Sequence, residues 1–84
     1  MDIVSKVQKL IEKDVNDAGY VIDEITYAKE DGNYFLRVVI DANKILEVED
    51  CVNVSKIINP LLDEADLIKE SYILDVCSKE KGCE

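Results

Sequence analysis

The stretch Asn33-Tyr34-Phe35-Leu36-Arg37-Val38-Val39-Ile40-Asp41 decides the fold. From Tyr34 to Asp41, Leu36, Val38 and Ile40 alternate with Phe35, Arg37, Val39 and Asp41. A period of two is that of a strand whose successive side chains point to opposite faces, so one face meets a core and the other stays partly wet. Just before it, Lys29-Glu30-Asp31-Gly32-Asn33 is a polar break whose Asp-Gly accepts positive φ, the backbone condition for a tight hairpin. The arm on the other side of that turn holds Tyr20, Val21, Ile22, Ile25, Thr26 and Tyr27, residue types that favour strands.

Working outward towards the N-terminus, Ile3, Val4, Val7, Leu10, Ile11, Val15 and Ala18 recur at steps of three and four, one stripe of an amphipathic helix. Asp2 is placed to cap its start and Gly19 to end it in a left-handed turn. In the other direction, a loop from Asp41 to Glu47 leads to a second helical pattern: Val48, Cys51, Val52, Val54, Ile57, Ile58, Leu61 and Leu62. Pro60 lacks a backbone donor and is expected to kink or close this helix near Asn59, leaving Leu61 and Leu62 as a separate turn. Beyond the acids Asp63, Glu64 and Asp66, Tyr72, Leu74 and Val76 alternate with Ile73, Asp75 and Cys77 as a third strand.

The order helix, strand, strand, helix, strand implies an α+β fold, a two-layer α-β-β-α-β domain with a three-stranded mixed sheet and both helices packed on one face. A right-handed crossover through the second helix sets the third strand parallel to the second. Placing the first strand between those two is the simplest arrangement. The folded domain is expected over residues 1–77, and the segment 78–84, Ser-Lys-Glu-Lys-Gly-Cys-Glu, is expected to be a mobile tail because it has little to bury.

Composition narrows the function classes. In 84 residues there is room for one small domain and none for a large enclosed active site. Ten basic residues against nineteen acidic ones give a formal charge of −9, which repels phosphate backbones and suits a basic protein partner. No apolar run approaches the length of a membrane span, and the N-terminus lacks a secretory pattern, so a cytoplasmic location is expected. Cys51, Cys77 and Cys83 show no disulfide framework and read as free thiols. There is no histidine, which closes the familiar zinc and general-base constellations; neither catalysis nor a cofactor or metal is expected.

Several short blocks, in order, resemble the amino-terminal domain of the RimP family of ribosome maturation factors. Gly19-Tyr20 followed by Ile25 and Tyr27 looks like that family's first strand, and Asn33 through Asp41 is similar to its second. Glu49-Asp50-Cys51, Val54-Ser55-Lys56, Leu62-Asp63 and Ser71-Tyr72-Ile73-Leu74-Asp75-Val76 continue the series. Lys44-Ile45 stands where relatives place a glycine-rich turn, and Lys56 where an arginine usually follows the serine, which keeps the charge but loses the planar fork. Cys77-Ser78-Lys79-Glu80 departs from the family's Ser-Ser-Pro-Gly, which leads into an SH3-like second domain absent from this sequence. The resemblance implies a non-catalytic module that binds the small ribosomal subunit during its assembly.

The residues offer three candidate contact sets. Arg37, with Asp75 on the same sheet face, is either an ordinary cross-strand ion pair or an anchor for a partner's acidic or phosphate group. Glu47, Glu49 and Asp50 open the second helix and Asp63 and Glu64 follow its apolar run. They compensate the helix dipole or, together, receive a lysine- and arginine-rich ribosomal protein. Phe35 and Val39 leave an apolar patch beside Arg37 of a kind that the other domain or the ribosome would cover in a two-domain relative, so weak self-association of this half, abolished by Phe35→Ser, is expected. Lys56 joins these candidates through the family pattern, and direct RNA contact is secondary. Two other classes compete: a generic acidic interaction domain unconnected with ribosomes, and an RNA-binding KH domain. The latter is disfavoured because its Gly-x-x-Gly clamp is missing.

Overall fold

The apolar stripes of two helices and the alternating face of one sheet come together as a single buried layer. A computed structural model describes residues 2–79. The elements are α1 (Ile3–Asp17), β1 (Val21–Glu30), β2 (Asn33–Asp41), α2 (Val48–Ala65) and β3 (Tyr72–Ser78). The expected α-β-β-α-β order and mixed three-stranded sheet are what the structure shows.

Each boundary has a local cause. Asp2 Oδ1 accepts from the Ser5 backbone N–H at 2.8 Å and so caps α1. Gly19, at φ +97°, turns the chain out of α1 in a conformation that a β-carbon would strain. Asp31 and Gly32, at φ 51° and 82°, both occupy the left-handed region, the requirement of the two-residue turn that best matches strand twist.

β1 runs antiparallel to β2 and β3 parallel to β2, in the sheet order β1-β2-β3. The central strand is therefore β2, which corrects the expectation that β1 lies in the middle. The tight hairpin fills one side of β2, and the α2 crossover returns the chain to its other side. Composition agrees with that outcome. β2 buries Leu36, Val38 and Ile40 completely, whereas β1 carries Asp23, Glu24, Lys29 and Glu30 and a register shift between Ile22 and Glu24, devices suited to an edge.

Three runs of side chains make the core. Val7, Ile11 and Val15 come from α1, and Val54, Ile58 and Leu62 from α2, each set at steps of four on one helix face. Leu36, Val38 and Ile40 meet them from β2. Leu74 and Val76 pack partly buried against the same cluster. Leu46, in the loop before α2, is 1% exposed and pins that loop to the core.

Helix α2 continues without interruption through Pro60 to Ala65, which corrects the expected break near Asn59. Proline's φ is helical, and the bond it forfeits would go to the carbonyl of Lys56, which like Pro60 lies on the exposed side of the helix. Leu62 at the core holds the final turn, and Asp66 closes the helix in a left-handed conformation.

β3 ends at Ser78, and the Lys79 N–H donates to the Ile40 carbonyl at 2.8 Å. The rest of the expected tail lies outside the described residues. Cys51 packs half-buried against the core. Cys77 is disulfide-bonded, which corrects the reading of it as a free thiol. Among the described residues no helix is long and apolar enough to cross a membrane.

Candidate partner-binding surface

Because the helices cover one sheet face only, the residues alternating with the core set stand on the other. On β2 these are Phe35, Arg37 and Val39, all half-buried. The register places Ile73, Asp75 and Cys77 of β3 directly beside them, and Ala28, Thr26 and Glu24 of β1 on the other flank. Arg37 Nε donates to Asp75 Oδ2 at 3.3 Å, and its Nη2 lies 3.8 Å from Glu30 Oε2. Arg37 thus joins all three strands through charge, in the ordinary cross-strand manner, while its side chain remains 37% exposed. Phe35, Val39 and the 48% exposed Ile73 give this face apolar ground around the guanidinium. The contribution of Ile73 follows from pairing that a single strand's pattern does not disclose.

The acids near the start of α2 divide into two kinds. Asp50 is only 9% exposed and is fully engaged. Its Oδ1 accepts from the Tyr20 hydroxyl at 2.6 Å and from Lys44 Nζ at 3.0 Å, and its Oδ2 accepts from the Glu47 backbone N–H at 2.9 Å. The last bond is the return half of a capping box. The Tyr20 hydroxyl, then the Glu47 N–H and Lys44, hold the Asp50 carboxyl well below the usual carboxylate range, at about 2. The same bonds push the Tyr20 phenol and the Lys44 ammonium up. Asp50 therefore ties the α1–β1 junction, the β2–α2 loop and the start of α2 together, which corrects its placement among the surface acids. Glu47 and Glu49 remain exposed.

Lys56, Asp63 and Glu64 are exposed along α2. Glu49, Lys56 and Asp63 follow one another at steps of seven and share a stripe of the helix. At about 1.5 Å of rise per residue, Glu49 and Asp63 stand ~21 Å apart, so the two acidic groups form separate ends of a long face rather than one site. The nine sequence-nominated residues thus fall into three places: Phe35, Arg37 and Asp75 on the open sheet face, Glu47, Glu49 and Asp50 at one end of α2, and Lys56, Asp63 and Glu64 along the rest of the helix.

At the far end of α2 the structure adds a feature the sequence reading missed. Asn59 and Asp63 of α2, Glu70 and Ser71 of the following loop, and Tyr72 and Leu74 of β3 line an open groove of about 340 Å³. Glu70 Oε1 accepts from the Tyr27 hydroxyl at 3.1 Å, and the Tyr27 ring stacks on Tyr34 with centroids 5.3 Å apart. Burial, then the Glu70 carboxylate, pushes the Tyr27 phenol up to about 12. Burial and the nearby Asp63 likewise raise the Tyr72 phenol. The only available signal was the tyrosine content of the strands, which names neither the groove nor its acids. Among the described residues no group of three or more cysteines and carboxylates gathers where it would hold a metal ion.

The sequence blocks noted above fall in order on β1, β2, α2 and β3 of this two-layer α-β-β-α-β domain. Residues 10–79, from the middle of α1 to the end of β3, match the family described as the RimP N-terminal domain. That span is more than four-fifths of the chain and includes every element that builds the open face and the groove, so the chain belongs to the RimP N-terminal domain family, a family of ribosome maturation.

Proposed function

We propose that this domain is a non-catalytic binding module of the cytoplasm that engages the small ribosomal subunit while it is being assembled, through a basic ribosomal protein. Membership of the RimP N-terminal domain family is the observation that carries the reading. The surface chemistry supports a protein rather than RNA as the main contact. A formal charge of −9 works against phosphate, and the exposed Glu47, Glu49, Asp63 and Glu64 favour a cationic partner. On the other side of the molecule, Phe35, Arg37 and Asp75 offer an anchor of the kind interfaces use, an apolar centre with a guanidinium and a polar rim.

The test is cosedimentation with purified small subunits, large subunits and naked ribosomal RNA across a salt series. Selective binding to small subunits that weakens as salt rises is the expected result. Arg37→Ala is expected to weaken that binding while changing stability by less than about 1 kcal/mol, because its ion pairs are only partly buried and keep contact with solvent. Equal binding to both subunits, or tighter binding to naked RNA, refutes the reading.

A further inference from the structure

We propose that the outer edge of β3, with the groove beside it, accepts an extended cationic segment of a partner protein as a fourth strand. The identification of the partner as a basic protein rests on the function proposed above; the edge and the groove do not.

The edge is defined by backbone direction. In a parallel pair, alternate residues turn both their N–H and their C=O towards the same neighbour. The Lys79 N–H bonds to the Ile40 carbonyl, so Asp75 and Ile73, two-residue steps back along β3, also direct their backbone groups to β2. Tyr72, Leu74 and Val76 then direct theirs outward, and among the described residues no strand lies on that side. The sheet's other edge is protected by the register shift near Asp23, whereas β3 pairs with β2 in unbroken register from Tyr72 to Ser78.

The groove supplies selectivity. Tyr72, Leu74 and Val76 share the face of Leu36 and Val38, the side on which α2 lies, so a strand laid along β3 sends alternate side chains towards α2. There they meet Asp63 and Glu70, the Tyr72 ring, and the amide and hydroxyl of Asn59 and Ser71. Two carboxylates beside an aromatic ring suit a guanidinium or ammonium and reject an acidic side chain. Backbone pairing supplies affinity and the groove chooses the charge, the division of labour found when a peptide adds to a sheet.

The experiment is a titration of the ¹⁵N-labelled full chain with the soluble peptide acetyl-Thr-Arg-Thr-Arg-Thr-Arg-Thr-amide and with its glutamate counterpart. Amide exchange is read residue by residue. The arginine peptide is expected to slow exchange at Tyr72, Leu74 and Val76, leave Ile73 and Asp75 as they were, and bind about tenfold more weakly to Asp63→Asn/Glu70→Gln. The glutamate peptide is expected not to bind. Absence of arginine-peptide binding, binding without new protection at those three amides, or equal binding of both peptides overturns the proposal. No ribosomal component is present, so its failure is separable from a failure of the cosedimentation test.

Discussion

Two neighbouring residues in the loop before α2 offer the sharpest contrast in the molecule. Ile45 is 71% exposed and Leu46 is 1% exposed, although they are of equal size and lie in the same irregular segment. Truncating Leu46 to alanine removes buried methyl groups and leaves a cavity beneath a loop held also by the Asp50 bonds, a combination that costs about 2–5 kcal/mol. The total available is small. At about 0.05–0.15 kcal/mol per residue, a chain of this length holds ~4–13 kcal/mol, and its modest core places it towards the lower end. Taking about 3 kcal/mol for Leu46→Ala, with about 4–8 °C per kcal/mol for a domain of this size, the midpoint falls by ~12–24 °C. Ile45→Ala stays within about 0.5 kcal/mol of the parent. Urea unfolding followed by circular dichroism, with the slope compared between variants, measures both. Similar losses for the two substitutions refute the claim that this loop is a core element, as does a Leu46→Ala protein of parental stability.

Tyr20→Phe keeps the ring in place and removes the strongest support of the Asp50 carboxylate. The Asp50 carboxyl lies below its unfolded value of about 3.9, so its contribution is complete above that pH and is lost as pH falls through about 2. In the variant the Asp50 titration followed by NMR moves upward and acid unfolding begins at higher pH; an unmoved titration contradicts the network. Tyr27 is expected to ionise at about 12 in an ultraviolet titration, and Glu70→Gln to lower that value while the part due to burial remains. Because the folded phenol is raised from about 10, its contribution is complete below that pH and is lost as pH rises through about 12. Pro60→Ala restores a donor to the Lys56 carbonyl and is expected to stabilise the domain by about 1–3 kcal/mol in the same urea assay, less what the freer unfolded chain takes back. No gain would show that the helix is already open at that turn.

The elements themselves were legible because each carries its period and its punctuation locally. β2 alternates over its whole length, Asp31-Gly32 marks the turn, and Asp2 and Gly19 bracket α1. Arg37 and Asp75 were legible as sharing a face, because two alternating strands put them there whichever order the sheet takes; their direct pairing depends on β3 lying beside β2. Strand order was not, since periodicity says which face of a strand is buried but not which neighbour stands beside it. Pro60 misled for a related reason: its cost is local, whereas the anchorage of Leu62 that overrides it is tertiary. Asp50 was read as one more acid at a helix start, and its partner Tyr20 lies 30 positions away. The three-residue spacing of Glu47 and Asp50 is that of a capping box, a local trace that the dipole reading passed over. The groove at Asp63 and Glu70 had no such signal, because it exists only where the end of α2 meets the edge of β3.

Two helices cover one face of the three-stranded sheet, and among the described residues no helix or strand lies over the other. The outward set on β2 is accordingly neither core nor ordinary surface. Phe35, Arg37 and Val39 are of intermediate burial beside their register partners on β3, with Arg37 bonded to Asp75 and close to Glu30. An ion pair that keeps the guanidinium from spreading across Phe35 and Val39 would leave the apolar ground around it accessible. Removing Asp75 would therefore free Arg37 to cover its neighbours. Asp75→Ala is expected to lower the exposure of Phe35, readable as slower ring-proton contact with a soluble paramagnetic probe, with stability changed by less than about 1 kcal/mol. Unchanged probe contact would mean that the apolar ground does not depend on the ion pair, and that the open face is shaped by the strands alone.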